Sequence, residues 1–322
     1  MLWNPQHTAT RQVMMNLPMF SFLAGIASAT PLLVGATFML VPTAHGGLAW
    51  ALQAITGLIF ATIWFFVAPT HIFGTAASIG SIIGTIVVLC AIALWKIRAL
   101  WPFSAAPIQP LKVVLPSLAV MAFAAMGALY LFRQPDEPPV ALEMPLRNVQ
   151  WYVAHGGPTL LTNPHHSVPA QRHANDIVVL GPGGKRANGL RPQALDDYYA
   201  YRVPVVSPCT GRVLAARNDL PDQAIGQADS VNLAGNFVAI ACHGVTVLLA
   251  HLRAGSVEVK AGDEVRSGQA LGQIGNSGNT SEPHLHIHAI RGESADLRAL
   301  LSSGEGVPIL FDGRYLRRGS RP

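Results

Sequence analysis

Three histidines alternate in a short run near the carboxyl end of the chain. His284, His286 and His288 occupy every second position between Pro283 and Ala289. Alternate residues of a β-strand face the same side, so three imidazoles would share one face. This arrangement is costly for packing alone, whereas imidazole nitrogens are common ligands of Zn²⁺. The spacing therefore predicts a metal site on one face of a strand.

Two more residues stand where they could join such a site. His251 ends the apolar run 247–250, as a histidine at the mouth of a sheet would. Asp176 precedes the apolar run 177–180 and could supply an oxygen ligand. Nine of the 12 histidines lie between residues 155 and 288, so this part of the chain is the expected location of the site.

The segments that would carry these residues have the pattern of β-strands. Short runs rich in Val, Ile and Leu recur between glycine turns from residue 176 to residue 290. This spacing is typical of an all-β sandwich or barrel. A polar, proline-rich segment at 133–139 precedes them and has the composition of a linker. We predict a linker at 136–145 and an all-β, mainly antiparallel sheet domain at 146–322.

The first part of the chain has a very different composition. Residues 12–95 contain no charged side chain, and no acidic residue occurs before Asp136. A membrane span needs about 20 apolar residues. The expected spans are 17–40, 48–67, 72–95 and 113–132. The predicted fold class is therefore an α-helical transmembrane bundle of about four spans, over residues 1–135, followed by the β-domain.

The basic residues of the first part predict an orientation in the membrane. Lys96, Arg98 and Lys112 lie between the third and fourth expected spans. Because cytoplasmic loops carry an excess of Lys and Arg, this loop is expected in the cytoplasm. The fourth span would then place the β-domain outside. The first part would then be a membrane-embedded anchor. A competing interpretation is a membrane transporter subunit that carries a soluble β-adaptor and binds no zinc.

Charge and cysteine usage narrow the partners and the compartment. All 17 acidic residues follow residue 135, where 17 Lys and Arg accompany them, so this part is near neutral. We therefore expect no nucleic-acid partner. The chain has no C-x-x-C motif, so zinc bound by cysteine is not expected. Cys209 and Cys242 are compatible with a disulfide in an exported domain or with two unpaired thiols.

Two motifs resemble a known family of enzymes. Segments 249–252 (LAHL) and 283–286 (PHLH) resemble the two histidine motifs of the M23 (LytM/lysostaphin-type) zinc endopeptidases. The resemblance covers roughly residues 170–290, with the segments in the family's order. It implies a β-sheet groove in which two histidines and one aspartate hold zinc. It also implies that the substrates are peptides of bacterial peptidoglycan.

The resemblance assigns roles to individual residues. It implies that His286 and Asp176 are zinc ligands and that His251 and His284 are catalytic histidines outside the ligand set. Zinc held by three protein ligands keeps an open position for water and lowers the pKa of that water to about 7. One histidine could accept the water's proton and another could stabilise the oxyanion. His288 has no assigned role in the family, and we expect it to line the groove or to support a ligand.

The first zinc ligand departs from the usual family pattern. The family has H-x-x-x-D, but Arg172 stands four residues before Asp176 in this chain. His173 precedes the aspartate by three residues, and His165 and His166 lie further upstream. The residues themselves leave these three histidines open as the first ligand.

The resemblance to one subgroup of the family favours His165. Segment 171–176 resembles a Q-R-Y-A-x-D sequence in which an aromatic residue occupies the position of His173. That subgroup carries an N-x-H motif upstream, which segment 163–165 matches. We therefore predict the ligand set His165, Asp176 and His286, with His173 and His166 as the alternatives.

These observations predict a zinc metalloendopeptidase that hydrolyses cross-link or stem peptides of bacterial peptidoglycan. The predicted location is the bacterial inner membrane, with the catalytic domain facing the periplasm or cell exterior. The alternative is a catalytically inactive M23-like module that binds or activates a partner cell-wall hydrolase. Such modules typically lack ligands, whereas His251, His284, His286 and Asp176 are all present, which favours activity.

Overall fold

The structure is a computed structural model that describes residues 133–160 and 162–322. Strands dominate this part of the chain, and its helical segments are single turns of three to five residues. The strands are β1 (Val140–Leu142), β2 (Trp151–His155), β3 (Asn175–Val179), β4 (Pro204–Val206), β5 (Gly211–Arg217), β6 (Asn236–Cys242), β7 (Val245–Leu252), β8 (Glu264–Val265), β9 (Ala270–Gln273), β10 (Leu285–Arg291), β11 (Gly306–Val307), β12 (Ile309–Phe311) and β13 (Arg314–Tyr315). The helical turns are Pro164–Ser167, Pro169–Gln171, Pro182–Gly184 and Leu195–Asp197, which are 3₁₀, and Ala299–Ser303, which is a π-turn.

One large antiparallel sheet organises the described residues. Its strand order is β2-β3-β10-β7-β6-β5-β8, and β11 pairs with β10 as an eighth strand. Two small sheets accompany it, β1-β12-β13 and β4-β9. The fold is mainly antiparallel β, as the recurring apolar runs indicate. The predicted bounds 1–135, 136–145 and 146–322 stay predictions, and β1 lies within the segment predicted as a linker.

The predicted fold class is corrected by this structure. Within residues 133–160 and 162–322, no helix has the length and apolar character needed to cross a membrane. The helical segments are single turns, whereas a span needs about 20 residues. The prediction of an α-helical transmembrane bundle in the fold is therefore wrong, and the structure shows a mainly β-sheet domain. The expected spans 17–40, 48–67, 72–95 and 113–132 lie outside the described residues.

The central strands are apolar along their whole length because both faces of the sheet are covered. Every residue of β7 is buried. Val247 and Leu249 pack into the main core, while Leu248 and Ala250 pack into a second cluster on the opposite face. Strands covered on both faces are expected to lose the alternation of apolar and polar residues. The second face matters for function because His286 and His288 of β10 pair with residues of β7 on that face.

Cys209 and Cys242 form a disulfide, with Cα atoms 6.1 Å apart. The bond joins the segment before β5 to the last residue of β6, and both cysteines are buried. The two cysteines are separated by 33 residues in sequence. A bond that closes a loop of this size is expected to stabilise the fold by about 2–4 kcal/mol. Of the two alternatives left open by the sequence, the structure shows the bonded pair.

Candidate metal centre

Neighbouring strands bring the predicted site residues together. Asp176 on β3 lies directly opposite His286 on β10, and His286 lies opposite Ala250 on β7. Residues directly opposite each other in an antiparallel pair have Cβ atoms about 4.5–5.5 Å apart on the same face. His251 follows Ala250 near the end of β7, where that strand reaches the same edge of the site. The sheet register therefore places Asp176 and His286 close together, and the ring centroid of His251 lies 5.7 Å from that of His286.

Asp176 is the centre of the cluster. Its Oδ1 lies 2.8 Å from Nδ1 of His286 and 3.6 Å from Nε2 of His284. Its Oδ2 lies 2.8 Å from Nε2 of His165 and 2.9 Å from Nδ1 of His155. The carboxylate is buried, so these four imidazoles replace the water that would otherwise surround it. The predicted ligand set of His165, Asp176 and His286 is thus brought together in space.

His165 reaches the cluster from a loop that one buried asparagine holds in place. The loop forms the 3₁₀ turn Pro164–Ser167, and the side chain of Asn163 accepts a hydrogen bond from the His165 backbone N–H at 3.1 Å. The Asn163 amide also donates to three backbone carbonyls, those of Gly157, Arg172 and Ala174. Asn163 is fully buried, so the N-x-H segment that the sequence singles out is a rigid support for His165.

The two alternative first ligands point elsewhere. His173 is buried with its Nε2 at 2.9 Å from the Glu137 carboxylate. His166 places its Nδ1 3.1 Å from the backbone carbonyl of Arg172. Because His173 comes three residues before Asp176, its side chain leaves the loop on another side and contacts a different carboxylate. Of the three histidines left open by the sequence, the structure brings His165 to Asp176.

His155 also belongs to this cluster, and sequence reasoning missed it. A β-bulge between Val153 and His155 shifts the register of β2 against β3, so that His155 lies opposite Asp176. Bulges re-aim side chains in this way. The ligand atoms of His155, His165 and Asp176 all lie within 4.8 Å of one another. One signal could have found it: like His251, His155 ends an apolar strand, and Gly156 follows it directly.

His251 and His284 form a pair beside the carboxylate. Their ring centroids are 4.9 Å apart, and the centroids of His251 and His286 are 5.7 Å apart. Nδ1 of His251 lies 2.9 Å from the Ser277 carbonyl, and Nδ1 of His284 lies 2.8 Å from the Glu282 carbonyl. A carbonyl oxygen only accepts, so each Nδ1 donates. In the neutral rings, each Nε2 therefore keeps its lone pair for other chemistry.

The backbone at His251 is strained in a way that fits a functional position. Its φ is 63°, in the left-handed region that non-glycine residues rarely occupy. Such a conformation costs of the order of 1–3 kcal/mol and persists only where surrounding contacts impose it. Here the contacts are the Ser277 carbonyl on the ring and the Ala234 carbonyl on the backbone N–H.

The charges of the cluster differ between its members. Burial would raise the pKa of Asp176, but the neighbouring His165 and His284 rings hold it well below its usual range. Burial opposes the positive charge of His165 and His284, yet the Asp176 carboxylate raises the pKa of both. Burial, together with His284, lowers the pKa of His251 well below its usual range. Near neutral pH, Asp176 is therefore ionised and His251 is uncharged.

An ion pair fixes the segment that directly precedes His284. Nε of Arg186 donates to both carboxylate oxygens of Glu282, at 2.7 and 2.9 Å. The hydroxyl of Thr280 donates to the Glu282 carbonyl at 2.8 Å. The same carbonyl receives the Nδ1–H of His284. Segment 280–283 is thus an ordered support that orients His284.

The donor atoms fit zinc by type. His165 and His286 supply imidazole nitrogens, and Asp176 supplies carboxylate oxygens. Two histidines and one carboxylate form the donor set of a common class of catalytic zinc site. A nearby cation would also stabilise an ionised carboxylate that is buried among imidazoles. His155, which contacts the same carboxylate, is a fourth candidate metal ligand.

Residues 193–297 match the sequence model of Peptidase family M23. Over 77 residues, the chain is 38% identical to peptidoglycan DD-endopeptidase ShyA of Vibrio cholerae serotype O1 (strain ATCC 39315 / El Tor Inaba N16961). This similarity spans 23% of the chain and 18% of that protein, so the chain covers less than a fifth of its relative.

Solved structures of peptidases are also similar to the chain. The catalytic domain of the antimicrobial peptidase lysostaphin from Staphylococcus simulans is 20% identical, with 34% of this chain and 80% of that chain covered and a TM-score of 0.23. A zinc containing peptidase from Vibrio cholerae is 20% identical, with 38% of this chain and 47% of that chain covered and a TM-score of 0.23.

The family match and the site overlap only in part. The matched segment contains His251, His284 and His286, and it begins after His165 and Asp176. The motifs LAHL and PHLH, on which the sequence resemblance depends, both lie inside it. By this match, residues 193–297 are similar in sequence to Peptidase family M23.

Proposed function

We propose that this chain is a zinc-dependent endopeptidase that hydrolyses peptide bonds of bacterial peptidoglycan. The observation that carries the proposal is the convergence of His165 and His286 on the buried carboxylate of Asp176, beside two histidines with available Nε2 atoms. The family match supports peptidase chemistry. The similarity to a peptidoglycan DD-endopeptidase supports the substrate class.

In this proposal, His165, Asp176 and His286 hold the ion. When bound, zinc supplies an open coordination position and a Lewis acid that polarises the scissile carbonyl. The chain contributes the fixed positions of its ligands. Asn163 holds the loop of His165, and the strand pairing of β3 with β10 holds Asp176 against His286.

His251 and His284 would divide the proton transfers between them. His251 is uncharged at neutral pH and keeps a lone pair on Nε2, so it can accept a proton from the attacking water. The pKa of His284 is raised by Asp176, so its protonated ring can donate to the oxyanion that develops on the carbonyl. Environments that push two pKa values apart are how sites separate the roles of acid and base.

The alternative function is a module that binds or activates a partner hydrolase. Such a module has no need for a proton-accepting histidine in a strained backbone conformation, which His251 shows. It also has no need for two neighbouring rings whose Nδ1 atoms are held by backbone carbonyls, which leaves Nε2 for proton transfer. These observations favour catalysis over binding alone.

Digestion of purified bacterial peptidoglycan by the full chain tests the function. We expect soluble muropeptides with new amino termini, detected by mass spectrometry, and no such products with His284→Ala. Zinc-loaded wild-type chain that binds peptidoglycan but releases no fragments would instead support the binding module.

The choice of first ligand leads to a direct prediction. His165→Ala should lose stoichiometric zinc, because it removes a donor 2.8 Å from Asp176. His173→Ala and His166→Ala should retain zinc, because their rings contact Glu137 and the Arg172 carbonyl instead. Metal content per purified full chain decides between them. Loss of zinc in His173→Ala together with full zinc in His165→Ala would reverse the assignment.

We also propose that the domain works outside the cytoplasm, in the periplasm or at the cell exterior. The support is the Cys209–Cys242 disulfide, because disulfides persist mainly in oxidising compartments. A reporter that folds only after export should be active when fused to the carboxyl end of the chain. Activity confined to a reporter that works only in the cytoplasm would contradict this location.

A further inference from the structure

His288 lies behind the proposed ligands and makes no contact with Asp176 in the hydrogen-bond network described above. It is completely buried on β10, two residues beyond His286. Its Nδ1 lies 2.9 Å from Nε2 of His286, and its Nε2 lies 2.7 Å from the backbone carbonyl oxygen of Leu300. The ring therefore bridges a proposed zinc ligand and a backbone group of the carboxyl-terminal segment.

The Leu300 carbonyl determines where the proton of His288 lies. A carbonyl oxygen only accepts, so Nε2 of His288 must carry the hydrogen. The ring is completely buried, and its two hydrogen-bond partners are a carbonyl oxygen and an imidazole nitrogen rather than a carboxylate, so it is uncharged. A neutral imidazole has one N–H and one lone pair, so Nδ1 of His288 is an acceptor.

The tautomer of His288 in turn determines the tautomer of His286. Since Nδ1 of His288 accepts, Nε2 of His286 must be the donor in the 2.9 Å contact between them. That assignment leaves the lone pair of the neutral His286 ring on Nδ1, the atom that lies 2.8 Å from Oδ1 of Asp176. A lone pair and an ionised carboxylate oxygen at this separation both attract a cation that lies between them. Without a cation, the two repel each other.

We propose that His288, held by the Leu300 carbonyl, is a positioning residue that fixes the tautomer and the ring orientation of His286, so that Nδ1 faces the metal. The inference rests on the proposed function and assigns it a further residue. Partners of this kind on the outer side of a ligating histidine set which nitrogen binds the metal and raise the basicity of the ligand.

The carbonyl itself is held by the carboxyl-terminal part of the fold. Leu300 lies in the π-turn Ala299–Ser303, and its side chain is completely buried. The side-chain amide of Gln171 donates to the carbonyl of Leu301 at 2.6 Å, which ties this turn to the segment before β3. Leu300 lies beyond residue 297, where the family match ends. The support for His286 therefore comes from a segment outside the matched region.

Two substitutions separate the hydrogen bond from the volume of the ring. In the full chain, His288→Leu fills much of the space without an acceptor, whereas His288→Asn offers an oxygen near the position of Nδ1. We expect Zn²⁺ and Co²⁺ to bind His288→Leu about 10–100-fold more weakly than wild type. We expect His288→Asn to recover most of that loss. Leucine and asparagine variants that both bind Zn²⁺ as wild type would overturn the proposal.

A matched control separates metal affinity from general stability. His173 is another buried histidine, bonded to Glu137 and Tyr315 outside the cluster. His173→Leu should lower the melting temperature of the metal-free chain but leave its Zn²⁺ affinity unchanged. An equal loss of Zn²⁺ affinity in His173→Leu and His288→Leu would show a purely structural effect and would contradict the proposal.

Nuclear magnetic resonance of the metal-free wild-type chain tests the tautomers without any variant of His288. At about pH 8, above ordinary histidine pKa values, nitrogen–hydrogen correlations of the rings distinguish protonated from unprotonated nitrogens. We expect the proton on Nε2 in both His286 and His288, with the His286 signals identified by their absence in His286→Gln. A proton on Nδ1 of His286 would refute the proposal. A chain that binds no zinc would refute the proposed function instead, whatever the tautomers.

Discussion

Asp176→Asn should leave the full chain without stoichiometric zinc and lower peptide cleavage by at least about a thousandfold. The amide keeps the shape of the carboxylate but removes its charge and replaces one acceptor oxygen by a donor. Four imidazoles converge on that group, and two of them, His165 and His286, are its proposed partners in holding the ion. Loss of metal-derived stabilisation amounts to several kcal/mol of activation free energy, which corresponds to this factor.

Metal content and muropeptide release should be measured on the same preparation of the variant. Asp263→Asn is a matched control, because Asp263 caps the turn at Lys260 through that residue's backbone N–H and has no contact with the histidine cluster. The control should keep full zinc and full cleavage. Stoichiometric zinc in Asp176→Asn would exclude Asp176 as a necessary ligand.

His251→Ala and His284→Ala should each lower cleavage by about 10²–10⁴-fold while zinc stays bound. Neither ring is needed to hold the ion in the proposed ligand set, and each offers its Nε2 for proton transfer. The magnitude is that of removing a positioned general acid or base. Initial rates of muropeptide release, with zinc measured in parallel, give both quantities.

His243→Ala is the matched control for these two variants. His243 is exposed in the turn between β6 and β7, and its φ is also positive at 52°. It should change neither zinc content nor rate. If His284→Ala lost zinc while His286→Ala kept it, the roles of the two histidines of the PHLH motif would be exchanged.

The part of the site that could be predicted from sequence is the part that depends on local periodicity and on motif resemblance. Alternation alone places His286 and His288 on one face. In the structure, Nε2 of His286 lies 2.9 Å from Nδ1 of His288 on that face. The N-x-H resemblance predicts His165, and the structure brings it to Asp176 while His173 contacts Glu137. These residues lie in regular strands or in a loop that a motif marks.

The remaining features depend on tertiary geometry that no local pattern carries. His155 joins the cluster because a bulge in β2 changes its register against β3, and Val153 and His155 alone do not reveal the bulge. The role of His288 depends on the Leu300 carbonyl, a backbone group 12 residues away in a π-turn. The disulfide needed the pairing of β5 with β6 to bring Cys209 to Cys242.

The fold class shows a different limit of composition-based inference. Apolar, charge-free stretches predict transmembrane helices before residue 133, outside the described residues. Residues 133–160 and 162–322 form a β-sheet domain in which no helix has membrane-spanning length. The β-domain was predictable because its apolar runs recur between glycine turns. Its strand order, with β10 between β3 and β7, was not, since pairing between distant strands leaves no mark on local sequence.

The most direct test of the central claim is to remove the metal from the full chain with a chelator and then to restore zinc. The chain should release no muropeptides after metal removal, and its rate should rise with added Zn²⁺ to a plateau at about one ion per chain. His165→Ala, measured in the same titration, should stay inactive at that concentration. Unchanged muropeptide release from the metal-free chain would contradict the account of His165, Asp176 and His286 as the centre of a zinc peptidase.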